Sequence, residues 1–266
     1  MEIIITPPNS PVFATVLDFP IRFYGVIMAI SFAIGVLSAY FLFKKKYEKQ
    51  EAELFLDYSP IVIFFSIIGA RLFYVLASYK FYFKNPQEIF MINHGGLTIF
   101  GAICFGILTL FFLSKIKKFN LLKHLDLLAV VFPLCQSIGR FGNYFNQEAY
   151  GAPTDGFLKL YVDSNCRKQE FLNVEYYHPT FLYESILDFL VFLILLFLFL
   201  KSKNQKFGNI ALIYLILYSL IRFTIEGIRI DSIAYISNLP VAKLICIFIF
   251  IISIICIFLN NKKHAQ

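Results

Sequence analysis

An all-α membrane protein with seven transmembrane helices, the N-terminus outside, the C-terminus cytoplasmic and a small extracytoplasmic cap, is the fold class this sequence predicts. Three observations predict it. The 266 residues are 59% hydrophobic and 15% charged, against roughly 45–50% and 25% for soluble domains. Seven apolar runs reach the roughly 20 residues that a spanning helix needs: 22–43, 54–78, 95–114, 122–141, 179–200, 208–228 and 239–259. The basic residues of the connections are also unequally shared. Lys44, Lys45, Lys46, Lys49, Lys115, Lys117, Lys118, Lys123, Lys201, Lys203, Lys206, Lys262 and Lys263 fall on one side, and Lys80, Lys84, Lys159, Arg167 and Lys168 on the other. The positive-inside rule puts the lysine-rich side in the cytoplasm, and an odd number of spans agrees with termini on opposite faces. The net charge of +7 then reads as a topology signal rather than a nucleic-acid footprint. With no repeat and no low-complexity linker, 1–266 reads as a single polytopic membrane domain.

Taken in order, residues 1–21 lack Lys and Arg and the first apolar run is too long for a cleaved signal. Gly25, Ala29 and Ala33 form a small-residue ladder on the first span, the pattern of close helix packing. Asp57 and Asp126, near the starts of the second and fourth spans, read as interfacial. Asn93-His94-Gly95-Gly96-Leu97 leads into the third span as a turn or a surface for a headgroup. His124 and His264 read as solvated. The segment 151–177, between the fourth and fifth spans, is polar and forms the predicted cap. His178-Pro179 opens the fifth span, a position where proline is tolerated, with Tyr183 and Glu184 about one turn inside. The five cysteines are scattered and four lie in apolar runs, where Cys behaves as a small hydrophobe.

The chain is organised around 137–151, Ser-Ile-Gly-Arg-Phe-Gly-Asn-Tyr-Phe-Asn-Gln-Glu-Ala-Tyr-Gly. On a helix, Arg140, Asn143 and Asn146 fall at i, i+3 and i+6, one polar stripe. A charge near hydrocarbon costs roughly 2.5–3.5 kcal/mol on insertion scales and marks a functional site by default. Given the topology, Arg71, Arg140 and Arg222 each lie near the outer end of a span, with Arg229 and Glu226 beside the last and Arg22 and Tyr24 at the outer start of the first. Guanidinium groups gathered at one depth suit a phosphate through their planar fork. An outer-leaflet phospholipid is the anion such a cluster would hold. The bland alternative is helix glue or snorkelling anchors.

No H-x-x-x-H spacing, no clustered carboxylates, no D-x-x-D-G run and no G-x-S-x-G elbow occur, so metal ligands and a serine nucleophile are not expected and no cofactor is implied. What remains is positioning and charge stabilisation of a reaction whose nucleophile arrives with a second substrate. A transporter or flippase for an anionic lipid fits embedded charge too, but such proteins tend to carry inverted repeats and midplane sites. An assembly subunit is the third possibility.

Five segments resemble the prolipoprotein diacylglyceryl transferase family. Gly139–Gly151 resembles its G-R-x-G-N-x-x-N-x-E-x-x-G signature. Ile21-Arg22-Phe23-Tyr24-Gly25, Gly69-Ala70-Arg71-Leu72, His178-Pro179-Thr180-Phe181-Leu182-Tyr183-Glu184 and Arg222-Phe223-Thr224-Ile225-Glu226-Gly227-Ile228-Arg229 resemble four further motifs. The resemblance implies a bacterial plasma-membrane transferase. Its partners would be phosphatidylglycerol and the signal peptide of a prolipoprotein with its lipobox cysteine. It would join the diacylglyceryl group to the thiol as a thioether and release glycerol phosphate. It implies that Arg140 and Arg222 hold the phosphate and that Asn143, Asn146, Tyr24, Gly151, Arg71 and Arg229 belong to the lipid site. Glu148, Glu226 or His178 would accept the thiol proton. One position departs from the family: in Gly95–Ala102, Phe100 stands where many members have His and some Tyr, and Phe cannot transfer a proton. The complete Arg/Asn/Glu set favours that His being dispensable.

Overall fold

The computed structural model describes residues 2–16, 19–91, 95–201, 206–230, 235–236 and 239–262. Asn93, His94, Lys203, Lys263 and His264, named above, lie outside them. Among the described residues, seven helices are long and apolar enough to cross a membrane: α1 (Phe23–Lys46), α2 (Lys49–Ala77), α4 (Ile99–Lys117), α5 (Leu121–Asn146), α6 (Thr180–Lys201), α7 (Asn209–Glu226) and α8 (Val241–Lys262). A short α3 (Tyr79–Lys84) follows α2. The shortest span, 18 residues, is about 27 Å long at 1.5 Å per residue, close to the hydrocarbon thickness. Pro60 and Pro133 sit inside α2 and α5; membrane helices tolerate this because neighbouring groups satisfy the freed carbonyls. Two spans outrun their expected bounds by five residues. α2 begins at Lys49 rather than 54, and α5 continues to Asn146 rather than 141, which makes the whole Arg140–Asn143–Asn146 stripe helical.

The chain divides into two compact units, Tyr40–His124 and the remainder, Met1–Ala39 with Leu125–Gln266. In the first, α2 and α4 meet at bare glycine backbone. A Cβ on Gly69 would lie 2.4 Å from Phe105 and one on Gly101 2.2 Å from the Gly69 carbonyl oxygen. Small residues let membrane helices approach this closely, and packing rather than hydrophobicity holds them together. At the other end of the unit His124 is fully buried, not solvated. Its ring nitrogens contact the Tyr58 hydroxyl and Glu51 Oε2, while Lys123 pairs with Glu51 Oε1 at 2.8 Å. Phe43 and Phe119 close over the imidazole. Burying a polar ring is tolerable because both of its nitrogens find partners.

In the second unit α1 packs on α5 by a reciprocal pair. Ser31 Oγ donates to the Cys135 carbonyl at 2.8 Å and Cys135 Sγ to the Ser31 carbonyl at 3.4 Å, with Gly35 beneath the sulfur. The expected ladder of Gly25, Ala29 and Ala33 is exposed instead; α1 buries the neighbouring stripe of Ser31 and Gly35. Ser185 on α6 donates to the Ser137 carbonyl of α5 at 2.8 Å. Asp126 is not interfacial. It is buried and accepts from the backbone N–H of Gly208 (2.7 Å) and Ala211 (2.9 Å), satisfying donors that the first turn of α7 leaves open.

Residues 151–177 contribute two strands to a three-stranded sheet of β1 (Ile3–Ile5), β4 (Leu158–Tyr161) and β5 (Tyr176–Tyr177) in the order β1-β4-β5, with β1 parallel to β4. Tyr150, Leu160, Val162, Tyr177 and Phe181 form its core. The antiparallel β2 (Val12–Val16) and β3 (Phe19–Arg22) lead straight into α1. The three strands are thus drawn from two stretches of chain, since a strand from residues 3–5 joins 151–177.

Candidate functional site

The site lies where the end of α5, the start of α6 and the end of α7 come together. Each helix contributes groups one turn apart, so that each presents a single charged face: Arg140 with Asn143 and Asn146, Glu184 with Asp188, and Arg222 with Glu226. Arg229 follows just beyond α7. Glu184 is the hub. Its Oε2 is 2.5 Å from Arg140 Nη2, and its Oε1 is 3.2 Å from Arg222 Nη1 and 3.6 Å from Arg229 Nη1. Arg222 Nη2 also pairs with Glu226 Oε2 at 2.6 Å, and Arg140 Nε lies 3.7 Å from Asp188 Oδ2.

Burial separates the two signs. The side chains of Glu184, Asp188 and Glu226 are 2–3% exposed, whereas those of Arg140 and Arg222 are 20% exposed and that of Arg229 13%. Three carboxylates therefore stand behind three guanidiniums, and the accessible surface is cationic. Three acidic groups facing three basic ones let the cluster survive among apolar helices. Such an arrangement can take an anion on its open side without leaving the cations unpaired when it is empty.

Beside it, the chain reverses after α5 through Gln147 (φ 51°) and Ala149 (φ 57°). This returns Glu148 over the last turn, where Asn143 Nδ2 donates to its Oε1 at 2.9 Å and Asn146 Nδ2 at 3.3 Å. Glu148 is exposed. The Tyr24 ring lies on Gly142, where a Cβ would come within 2.6 Å of it. Tyr24, Asn143, Asn146 and Glu148 are thus gathered at the same end of α5 as Arg140.

Gly151, His178 and Arg71 stand apart from this cluster of side chains. Gly151 is buried at a crossing of three segments: its N–H donates to the His178 carbonyl at 2.9 Å, it bridges to Arg229, and a Cβ there would lie within 3.0 Å of His178, Thr180 and Ile228. Its place is a close approach of backbones that holds Arg229. The His178 ring nitrogen Nδ1 lies 3.3 Å from the Tyr183 hydroxyl, and its backbone ties the start of α6 to Ala152. Arg71, in the other unit, is 6% exposed. It donates Nε to the Ile89 carbonyl (3.0 Å), Nη1 to those of Gly95 (2.5 Å) and Gly96 (3.0 Å), and Nη2 to those of Glu88 and Met91 (3.2 Å). A guanidinium has five N–H donors, and all five are engaged, leaving none for a phosphate. The glycine turn at Gly95 (φ 85°) and Gly96 (φ 79°) aims two of those carbonyls.

The sequence reading passes over Asp188 and marks Glu184 by its place one turn inside the fifth span and by its motif, without assigning it to the site. The carboxylates are scattered in sequence yet clustered in space. The available signal was the i, i+4 acidic pair within an otherwise apolar helix. Phe100 is 66% exposed at the start of α4. Among the described residues no three His, Cys, Asp or Glu side chains are placed to share a metal ion.

A family model described as prolipoprotein diacylglyceryl transferase matches residues 11–259. The chain is 40% identical over 258 residues to the phosphatidylglycerol–prolipoprotein diacylglyceryl transferase of Clostridium botulinum (strain Loch Maree / Type A3), covering 97% of this chain and 99% of that one. Proteins of the same description from Thermosynechococcus vestitus (40% over 212 residues, 80% and 78% covered) and Fervidobacterium nodosum (41% over 241 residues, 87% and 79% covered) are similar.

Proposed function

Since the chain belongs to the prolipoprotein diacylglyceryl transferase family, we propose that Arg140, Arg222 and Arg229 hold the phosphate of phosphatidylglycerol while its diacylglyceryl group passes to a cysteine thiol. The protein is a multi-pass bacterial membrane transferase acting on phosphatidylglycerol and prolipoproteins. The observation that carries the site assignment is the convergence of three partly open guanidiniums on one buried carboxylate, Glu184.

In the proposed reaction the lipid phosphate lies against the open faces of the arginines. The lipobox thiol gives up its proton and its sulfur attacks the glyceryl carbon bonded to the phosphate oxygen. The C–S bond forms as the C–O bond breaks, and glycerol phosphate leaves with a second negative charge. Guanidiniums already fixed by buried carboxylates stabilise that charge without reorganising. Glu148 is the carboxylate best placed to take the thiol proton: it is exposed and held by two neutral amides, whereas Glu226 faces a guanidinium. Tyr24, Asn143 and Asn146 orient the headgroup, and Gly151 and His178 keep Arg229 and α6 in register. In this reading charge stabilisation comes from arginine and not from a metal ion. That the ends of α5 and α7 carrying the site are opposite the lysine-rich connections supports a site at the outer leaflet.

The test is purified protein in phosphatidylglycerol micelles with a synthetic lipobox peptide, following peptide mass and glycerol phosphate release together. A diacylglyceryl mass gain with equal release is expected, falling by about 10²–10³ in Arg140→Ala, the size of effect typical for loss of one oxyanion donor. Full activity in that variant removes Arg140 from the mechanism. Headgroup translocation in liposomes without a covalent product favours the transporter reading.

A further inference from the structure

The buried Asp188 lies one turn beyond Glu184 on α6, in a helix whose following residues to Leu200 are all apolar. A carboxylate there is costly and calls for a reason. The charged and titratable groups around it are Arg140 on α5, Glu184 on its own helix, and Arg222, Tyr214 and Tyr218 on α7. Tyr214 turns its hydroxyl to Gln136 Oε1 at 2.8 Å. Among the described residues the ion pair of Asp188 is the 3.7 Å approach of Oδ2 to Arg140 Nε, and neither atom has a hydrogen-bond partner there. The nearer carboxylate on this guanidinium is Glu184, whose Oε2 lies 2.5 Å from Nη2, also as an ion pair outside hydrogen-bond geometry. Arg140 is thus shared between two buried acidic groups on α6, Glu184 at its Nη2 and the more distant Asp188 behind its Nε.

We propose that Asp188 is a positioning residue that draws Arg140 back toward an internal anion and so weakens its hold on substrate and product. The inference rests on Arg140 contacting the lipid phosphate. A negative charge behind a cation competes with any anion arriving in front. The lipid phosphate carries one charge and departing glycerol phosphate up to two, so the competition weighs most on the product. Asp188 in this way favours release of the leaving group over its retention, which keeps turnover going after the C–O bond has broken.

The discriminating variant is Asp188→Asn, which removes the charge and keeps the shape. The expected result is a KM for phosphatidylglycerol lowered about three- to tenfold, with kcat lowered as well, where tenfold corresponds to about 1.4 kcal/mol. Glycerol phosphate, titrated calorimetrically into the detergent-solubilised protein, should bind at least as much tighter, and Asp188→Glu should restore the wild-type pattern. A merely structural aspartate predicts the opposite, a raised KM and a lowered melting temperature with glycerol phosphate affinity unchanged or weakened. That outcome overturns the proposal. Asp188→Ala serves as a second variant should the Asn form not accumulate, and its glycerol phosphate affinity is read the same way. Arg140→Ala keeps the two inferences separable, because binding is measured without turnover. If Arg140→Ala weakens glycerol phosphate binding and Asp188→Asn does not tighten it, only the role of Asp188 falls. If Arg140→Ala leaves that binding unchanged, the phosphate site itself is wrong.

Discussion

Arg71 and Arg140 are both arginines embedded in apolar helices, in different units of the chain, and they are held in opposite ways. Arg71 gives all five donors to neutral backbone carbonyls and is almost fully enclosed. Arg140 meets two carboxylates and stays partly open. Carbonyls saturate a guanidinium's hydrogen bonds but supply no full opposite charge and cannot be exchanged without unravelling the turn they belong to. Carboxylates supply the charge, and another anion can replace or share them. The acceptor type thus separates an arginine that clasps a loop from one that can trade partners with a ligand, and depth in the membrane does not make that distinction.

Variants at each arginine can break this comparison. The largest effect is expected from Arg140→Lys. A lysine keeps the charge but cannot present the planar fork, so activity in the peptide assay should fall about a hundredfold with the melting temperature near wild type; near-normal activity would mean that charge alone suffices. Arg71→Lys comes next. With at most three donors facing five carbonyls, the backbone at Glu88–Met91 and Gly95–Gly96 should lose its clasp, read as new protease cleavage next to those residues and a loss of a few kcal/mol of stability, consistent with unpaired buried carbonyls at about 1–3 kcal/mol each. If Arg71→Lys instead leaves the loop intact and abolishes lipid binding, the contrast between the two arginines collapses. Smaller still is Phe100→His, expected to change kcat less than about threefold, because the proton in this mechanism goes to a carboxylate; a large gain would show that a histidine there matters. The mildest concerns Cys166, outside the spans, whose thiol is pushed up by burial and then by Asp163. A raised thiol pKa leaves little thiolate at neutral pH, so maleimide labelling should be slow at pH 7 and quicken only above the ordinary thiol range, with Asp163→Asn moving the onset to lower pH.

Much of this was legible in sequence, for a physical reason. Span positions follow from apolar run length, and the 140/143/146 stripe follows from helical spacing, so both survive into the structure. Contacts between helices do not. The exposed Gly25–Ala29–Ala33 ladder satisfies the small-residue pattern as well as the buried Ser31–Gly35 face does, and only the partner helix decides between them. His124 read as solvated because its partners Tyr58 and Glu51 are some seventy residues away in sequence. Arg71 matched a site motif while its carbonyl partners, being backbone, carry no sequence signature at all. Asp188 was hidden by the same distance effect that scattered the carboxylates along the chain and gathered them in the fold.

The parallel pairing of β1 with β4 bears on how the protein is made. Strand β1 leaves the ribosome about 155 residues ahead of its partner, which at 5–20 residues per second is a wait of roughly 8–30 s. During that interval Ile3–Ile5 has no β4 to pair with, and the sheet closes only once α5 and β4 have been made. Closure of the sheet is therefore a late event in biogenesis, and a bulky fusion ahead of Ile3 should slow maturation of the protein even where it leaves the arginine cluster untouched.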